Sequence, residues 1–275
     1  MKRFHRKVRA RIPNDPIFRE PITHIRLGAK EFENQWRHLN RTCGDPASRA
    51  RLSWLREQFV RHRRGVSDAA QAEVDLASLF LRAGFSVSFL PESWVRTADL
   101  ECYLGHDRLF VEVTVIVPSE RRTRGFPKVQ PIGGEDGNGL EDDAEKLLVK
   151  RIIARITEKA RQLHYYCAPV ILAITVPGQE KVVGSKSPKW VVDLKRLSGV
   201  LALTFPQVTQ LSGVLLTFWD IQPRESKSNV RLNTISLVER ASVGVLLPRV
   251  RLFASNPTAR YPLPDAARLA VNDAL

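Results

Sequence analysis

The stretch that most narrows what this chain can fold into is T-A-D-L-E-C-Y-L-G-H-D-R-L-F-V-E-V-T-V-I-V, residues 97–117. Two alternating runs flank Gly105-His106, the spacing of a two-residue β-hairpin with glycine at its first central position. Counting outward from that turn sets Leu104 against Asp107, Tyr103 against Arg108 and Asp99 against Glu112. Side chains alternate along a strand, so Asp99 and Glu101 share one face, while Phe110, Glu112 and Thr114 share one face of the partner. Directly opposed residues bring their Cβ atoms to roughly 5 Å. Two carboxylates there repel unless a cation lies between them, and hard divalent cations such as Mg²⁺ take such oxygen ligands. The plainer alternative is an exposed hairpin whose acids face water. Against it stands L-F-V-E-V-T-V-I-V, a nearly continuous apolar run of the kind found in sheets buried on both faces.

The spacing upstream predicts a helix over 67–83, with Ser67 or Asp68 as its cap and Gly84 just past its end. On a helical wheel Ala69, Leu76, Leu79, Phe80 and Ala83 form the core face, and Gln71, Asp75, Ser78 and Arg82 lie opposite. Asp75 reads as an ordinary surface acid. Glu73 falls in the middle of the apolar arc, where an ionised carboxylate is costly unless it is paired or bound to metal. A salt bridge to a buried arginine is the bland account of it. F-S-V-S-F-L (85–90) reads as a strand, and a long helix is expected over 141–165. Leu148, Val149, Ile152, Ile153, Ile156, Ala160 and Leu163 make its apolar face. Lys159 falls between Leu148 and Ile152 on the wheel, with Arg155 and Gln162 at that face's edge. Such a lysine either snorkels to solvent or reaches a polar pocket. A-P-V-I-L-A-I-T-V (168–176) is an apolar strand, followed by a helix near 188–203 and strands at 213–219 and 229–239.

Charge narrows the partners. The chain of 275 residues carries a net charge of +14, which suggests a polyanion or an anionic surface. Residues 1–65 hold 17 Lys+Arg against 6 Asp+Glu, a net of +11. Residues 1–28 look like an extended basic arm, with short helices expected near 30–40 and 47–63. In the second, Leu52, Leu55 and Phe59 make an apolar stripe, and Arg49, Arg51, Arg56, Arg61, Arg63 and Arg64 spread over the rest. These arginines form either a solvated face or a set of phosphate contacts. A loop of about twenty residues after Pro118 adds Arg121, Arg122, Arg124 and Lys128, and its length suggests function or mobility. Its G-G-E-D-G-N-G lacks the Lys-Ser/Thr of a phosphate-binding loop. Cys43, Cys102 and Cys167 are far apart with no CxxC pair, which argues against a disulfide or zinc framework and fits a reducing compartment. With no run of 18 apolar residues, a cytoplasmic protein that does not cross a membrane is expected. No GxSxG, HExxH or GxxxxGK[ST] occurs.

The order is helix (Glu73), strand, strand (Asp99), strand (Glu112), helix (Lys159), strand. Here the chain resembles the PD-(D/E)XK, or restriction-endonuclease-like, nuclease superfamily over roughly 66–176 and toward 240. The resemblance rests on A-D-L-E at Asp99, V-E-V-T at Glu112 and the acid Glu73 on the first helix. Ala98 stands where the family has proline, and Thr114 where it has its usual lysine. Some members move that lysine to the following helix, where Lys159 and Gln162 stand. The resemblance implies an α/β fold with an α-β-β-β-α-β core and a mixed central sheet, extended by the basic N-terminal region. The expected layout is a basic arm with short helices over 1–65, a nuclease domain over 66–240 and an irregular tail over 241–275. It also implies metal-dependent hydrolysis of nucleic-acid phosphodiester bonds, DNA favoured. Asp99, Glu112, the Val113 carbonyl and Glu73 would hold Mg²⁺ or Mn²⁺, which lowers the pKa of a bound water. Lys159, with Gln162 beside it, would orient that water or neutralise developing charge. Two other readings stand beside it. One is a nuclease-fold protein that binds nucleic acid or a protein without cleaving. The other is an assembly protein whose basic arm docks onto RNA or an acidic partner. Oligomeric state is left open, a homodimer included.

Overall fold

The apolar run at the centre of the chain needs cover on both sides, and the architecture supplies it. In a computed structural model, which describes residues 22–60, 65–91, 98–116, 138–177, 190–219, 221–223, 235–239 and 248–275, that run is an inner strand of a seven-stranded sheet. In chain order the elements are α1 (Ile22–Thr42), α2 (Pro46–Val60), α3 (Val66–Arg82), β1 (Ser86–Phe89), β2 (Leu100–Leu104), β3 (Asp107–Val115), α4 (Asn138–Gln162), β4 (Val170–Val176), β5 (Trp190–Val192) and α5 (Leu194–Thr204). A short 3-10 turn at Phe205–Gln207 leads to β6 (Gly213–Phe218), β7 (Ile221–Pro223), β8 (Ile235–Glu239), β9 (Val250–Ser255) and α6 (Asp265–Ala274). The main sheet runs β1-β2-β3-β4-β6-β9-β8 and is mixed: β3, β4 and β6 are parallel, and the remaining pairings are antiparallel. β5 and β7 form a separate parallel pair.

The hairpin has the expected register. Leu104 pairs with Asp107, Tyr103 with Arg108 and Leu100 with Val111, and Gly105 takes φ 60°, a value glycine adopts at no steric cost. The same count sets Asp99 beside Glu112 just beyond the end of β2, where the Asp99 N–H donates to the Val111 carbonyl at 3.0 Å. Alternation along the strands sorts the two cores. Phe110, Leu172, Ile174, Leu216 and Leu252 pack under Leu148, Ile152 and Ile156 of α4 and Leu197 and Leu201 of α5. Val111, Ala173, Leu215 and Phe253 face Phe32, Leu52, Leu76 and Phe80 of the first three helices. Glu112 and Thr114, two and four residues from Phe110, therefore lie on the α4 side.

Several expectations are corrected. α1 begins at Ile22, inside the stretch read as an extended arm, because Pro21 bars helix only on its own N-terminal side. α1 and α2 are not a separate arm in the described residues, since Phe32, Leu39, Leu52 and Leu55 belong to the same core as α3. Gly65 rather than Ser67 or Asp68 sits at the start of α3, and its N–H donates to the Asp68 carboxylate at 3.2 Å. Gly84 ends that helix at φ 88°, as its position predicts. The helix expected from 188 starts at Leu194, where Asp193 accepts the Lys195 and Arg196 N–H groups, and the residues before it form β5. Residues 241–275 are not an irregular tail: β9 lies between β6 and β8, and α6 packs beneath α3 through Ala267 and Val271. Only the Pro-rich 256–264 link between them is irregular, fastened where the Asn256 amide donates to the Val208 and Leu211 carbonyls. No helix among the described residues is long and apolar enough to cross a membrane.

Asp75 is the sharpest correction. Its side chain is buried against Arg251 of β9, which donates to it at 2.8 Å and is itself 1% exposed. α3 is covered on its polar side as well as its apolar one, so no surface remains there for an acid. Removing one partner of a buried ion pair leaves the other charge uncompensated, at a cost of about 3–5 kcal/mol. Asp75→Ala is expected to lower unfolding free energy in urea by that amount. The double replacement Asp75→Leu with Arg251→Met is expected to recover most of the loss.

Candidate functional site

Two local features place the first helices over the sheet edge. Asp45 precedes Pro46 and accepts the Ser48 N–H at 2.8 Å, an N-cap with proline at the first helical position. The Ser48 hydroxyl in turn accepts the Phe89 N–H of β1 at 2.8 Å, tying α2 to the sheet. One turn further along α2, Arg51 reaches Glu73 of α3 with two parallel hydrogen bonds, Nε to Oε1 and Nη2 to Oε2, each 2.8 Å. This bidentate pairing matches the fork of a guanidinium to a carboxylate. The same Nη2 lies 3.5 Å from Asp99 Oδ1. Glu73 therefore has the buried arginine that the bland account of it required, and that arginine also reaches the next acid.

Asp99 is fixed from the other side by the Val113 N–H, which donates to Oδ2 at 2.7 Å. The contact of Val113 seen here is thus through its amide. The residue before Asp99 is anchored too, since the Ala98 N–H donates to the Tyr166 hydroxyl at 2.6 Å. On the α4 side, Lys159 Nζ donates to Glu112 Oε1. Four groups chosen for being misplaced in a core, Glu73, Asp99, Glu112 and Lys159, are thus brought together from α3, the start of β2, β3 and α4. Arg51 joins them.

Other predicted residues fall elsewhere. Gln162 is turned to Glu158 on its own helix at 3.2 Å instead of toward Glu112. Glu101, on the Asp99 face, is taken by Arg108 at 2.6 Å and by the Tyr103 hydroxyl at 2.9 Å. Of the expected phosphate contacts, Arg51 is drawn inward, with a side chain only 9% exposed. Arg49 is exposed, and Arg56 pairs with Glu33 at 2.7 Å. Arg61, Arg63, Arg64, Arg121, Arg122, Arg124 and Lys128 lie outside the described residues. Sequence reasoning missed Arg51's role and Tyr166. For Arg51 a signal existed, since it stands about 40° from Leu55 on the wheel, at the edge of the buried stripe.

The donor set suits a hard divalent cation, because Glu73, Asp99 and Glu112 offer carboxylate oxygens. In the described residues, however, Arg51 and Lys159 already stand among them as cations. Among the described residues no group of three or more His, Cys, Asp or Glu side chains is arranged to hold a metal ion. Arg51 would have to yield Asp99 for a metal to share it. Comparison with protein-family models, with curated proteins and with solved structures found no match.

Burial, and after it the Asp99 charge, push the Glu112 carboxyl up from the ordinary 4.5 to about 7, outweighing the opposite pull of Lys159 and Arg51. Between those two values the folded chain holds a proton that the unfolded chain has released. Glu112's contribution to stability is therefore fully present below its unfolded value and is lost as pH rises through about 7. Urea unfolding across about pH 4 to 8 is expected to show this decline, and Glu112→Gln, which cannot ionise, to remove it. Lys159→Met is expected to extend the decline to higher pH.

Proposed function

We propose that this chain is a metal-dependent nuclease of the restriction-endonuclease-like kind, hydrolysing phosphodiester bonds, with DNA the favoured substrate. The meeting of Glu73, Asp99, Glu112 and Lys159 at one end of the β2–β3 hairpin carries the reading. The element order α3-β1-β2-β3-α4-β4, with an antiparallel β1–β3 meander and parallel β3–β4, supports it as well. Asp99 and Glu112 are the residues to hold Mg²⁺ or Mn²⁺, with Glu73 completing the shell once Arg51 withdraws. A bound metal would supply a water of lowered pKa and neutralise charge on the phosphate. Lys159, which arrives from the following helix and not from position 114, would orient the attacking water or stabilise the developing negative charge. The Val113 amide donates to Asp99 Oδ2 and so fixes the orientation of that carboxyl beside Glu112. Excess positive charge in the first 65 residues would add salt-dependent affinity for the backbone.

The test is cleavage of labelled single-stranded, duplex and branched DNA and RNA with Mg²⁺, Mn²⁺ or EDTA. Asp99→Ala and Glu112→Ala are expected to abolish metal-dependent cutting. Lys159→Ala is expected to slow it about 10²–10³-fold, the usual cost of removing one transition-state charge partner. Cutting that persists in Glu112→Ala at the parent rate would falsify the assignment.

A second reading is favoured by one observation: the acids are already matched by Arg51 and Lys159. On it the fold binds nucleic acid without chemistry. Calorimetry with Mn²⁺ separates the two, since a site that has lost catalysis takes up no metal heat while nucleic-acid affinity survives the loss of all three acids.

A further inference from the structure

We infer that Trp54 is a stacking platform for one unpaired nucleobase beside the acidic site, and that the nucleic acid taken there is single-stranded or splayed into single strands. The inference rests on the nuclease reading for the site and names its substrate class. Trp54 stands one turn after Arg51 on α2 and is 39% exposed, unlike the fully buried Leu52 and Leu55 on either side of it. The Arg51 guanidinium lies over its ring at 4.4 Å from the centroid. That same guanidinium bonds Glu73 and lies 3.5 Å from Asp99. Two contacts therefore separate an open indole surface from the acids.

The arrangement suits a base better than other apolar occupants. In the metal-free chain, where Arg51 keeps its bidentate, largely buried ion pair with Glu73, a ring held on that guanidinium is already ordered, so presenting it costs little further entropy. Stacking on an aromatic side chain tolerates any base, because every base has a π-face. In a duplex those faces are already stacked on their neighbours. Charge for a phosphate chain is carried in the same part of the sequence: Arg49 on α2 is exposed, and residues 1–65 carry a net of +11 from 17 Lys+Arg against 6 Asp+Glu. The alternative is that Trp54 serves only as a cover keeping water from the Arg51–Glu73 pair.

Fluorescence anisotropy with the full chain in EDTA reads binding apart from cleavage. The probes are a labelled mixed-sequence DNA strand, the same sequence in RNA, and the DNA duplex. Trp54→Ala and Trp54→Leu are expected to weaken single-strand affinity about 5- to 150-fold, the range a stacked base commands. Trp54→Phe is expected to keep most of it, and duplex affinity to change less than about twofold, the ordinary non-specific share. The contrast of Phe with Leu, which both fill the position, stands even if the alanine variant folds poorly. Equal losses on strand and duplex, a leucine variant that binds like phenylalanine, or a parent chain that binds neither form would overturn the inference. Repeating the series with Mg²⁺ separates it from the nuclease reading. Trp54-dependent strand binding without cleavage keeps the platform and removes the enzyme, whereas cleavage indifferent to Trp54 does the reverse.

Discussion

Three carboxylates gathered at the open end of the β2–β3 hairpin, Glu73 and Glu112 buried and Asp99 partly so, cannot all stay charged unless cations come with them. Glu73, Asp99 and Glu112 meet this constraint through Arg51 from one helical layer and Lys159 from the other. Of these groups as described, Glu112 is the one whose carboxyl burial and the Asp99 charge push up to about 7. Buried pairs of this sort seldom add net stability over a well-packed apolar core, so stability alone does not account for keeping five ionisable groups here. The proposed phosphodiester chemistry would give those five groups a use that stability does not.

The same charges join the layers. α2 and α3 cover one face of the sheet and α4 the other, and they would otherwise meet only through the strands between them. Around the start of β2 that strand ends while β3 and β4 continue, and side chains from both layers come within reach of one another. Arg51 reaches past the end of β2 to Asp99, and Lys159 approaches Glu112 from beneath. Tyr166 pins the backbone before Asp99 from the α4 side, as Val113 pins its carboxylate from within the sheet.

Much of this was legible because it depends on local periodicity. Gly105 and the alternation around it specify the hairpin, and counting from the turn reaches the Asp99–Glu112 pairing without any tertiary information. Glu73 and Lys159 could be picked out because a helical wheel places each inside an apolar arc. What could not be read was decided at long range. Asp75 lies two residues from Glu73 and looks like any surface acid, since its burial depends on a strand near the other end of the chain. The Pro-rich 256–264 segment hid the strand before it and the helix after it, because β9 is ordered by pairing with β6 rather than by its own pattern. Arg51 sat among arginines that share its composition signal; its wheel position beside Leu55 marks the edge of the buried stripe, but the acids it reaches follow from the position of α2 against α3.

The Asp75–Arg251 pair spans 176 positions of sequence, and it sets the order in which the molecule can be completed. During synthesis α3 and the hairpin emerge early, with Asp75 already facing inward and its counter-charge not yet made. β9 also joins β8 to the sheet, so until it arrives β6 is an unpaired edge and β8 has no strand to pair with. Local contacts can form the hairpin and α3 at once, but closure waits for a distant segment, the kind of topology that folds slowly. The nascent chain is thus obliged to carry an acid in waiting and an unfinished sheet for most of its translation. A nonsense or frameshift truncation before β9 would not yield a smaller working protein. It would yield an exposed, sticky intermediate suited to chaperones and proteases.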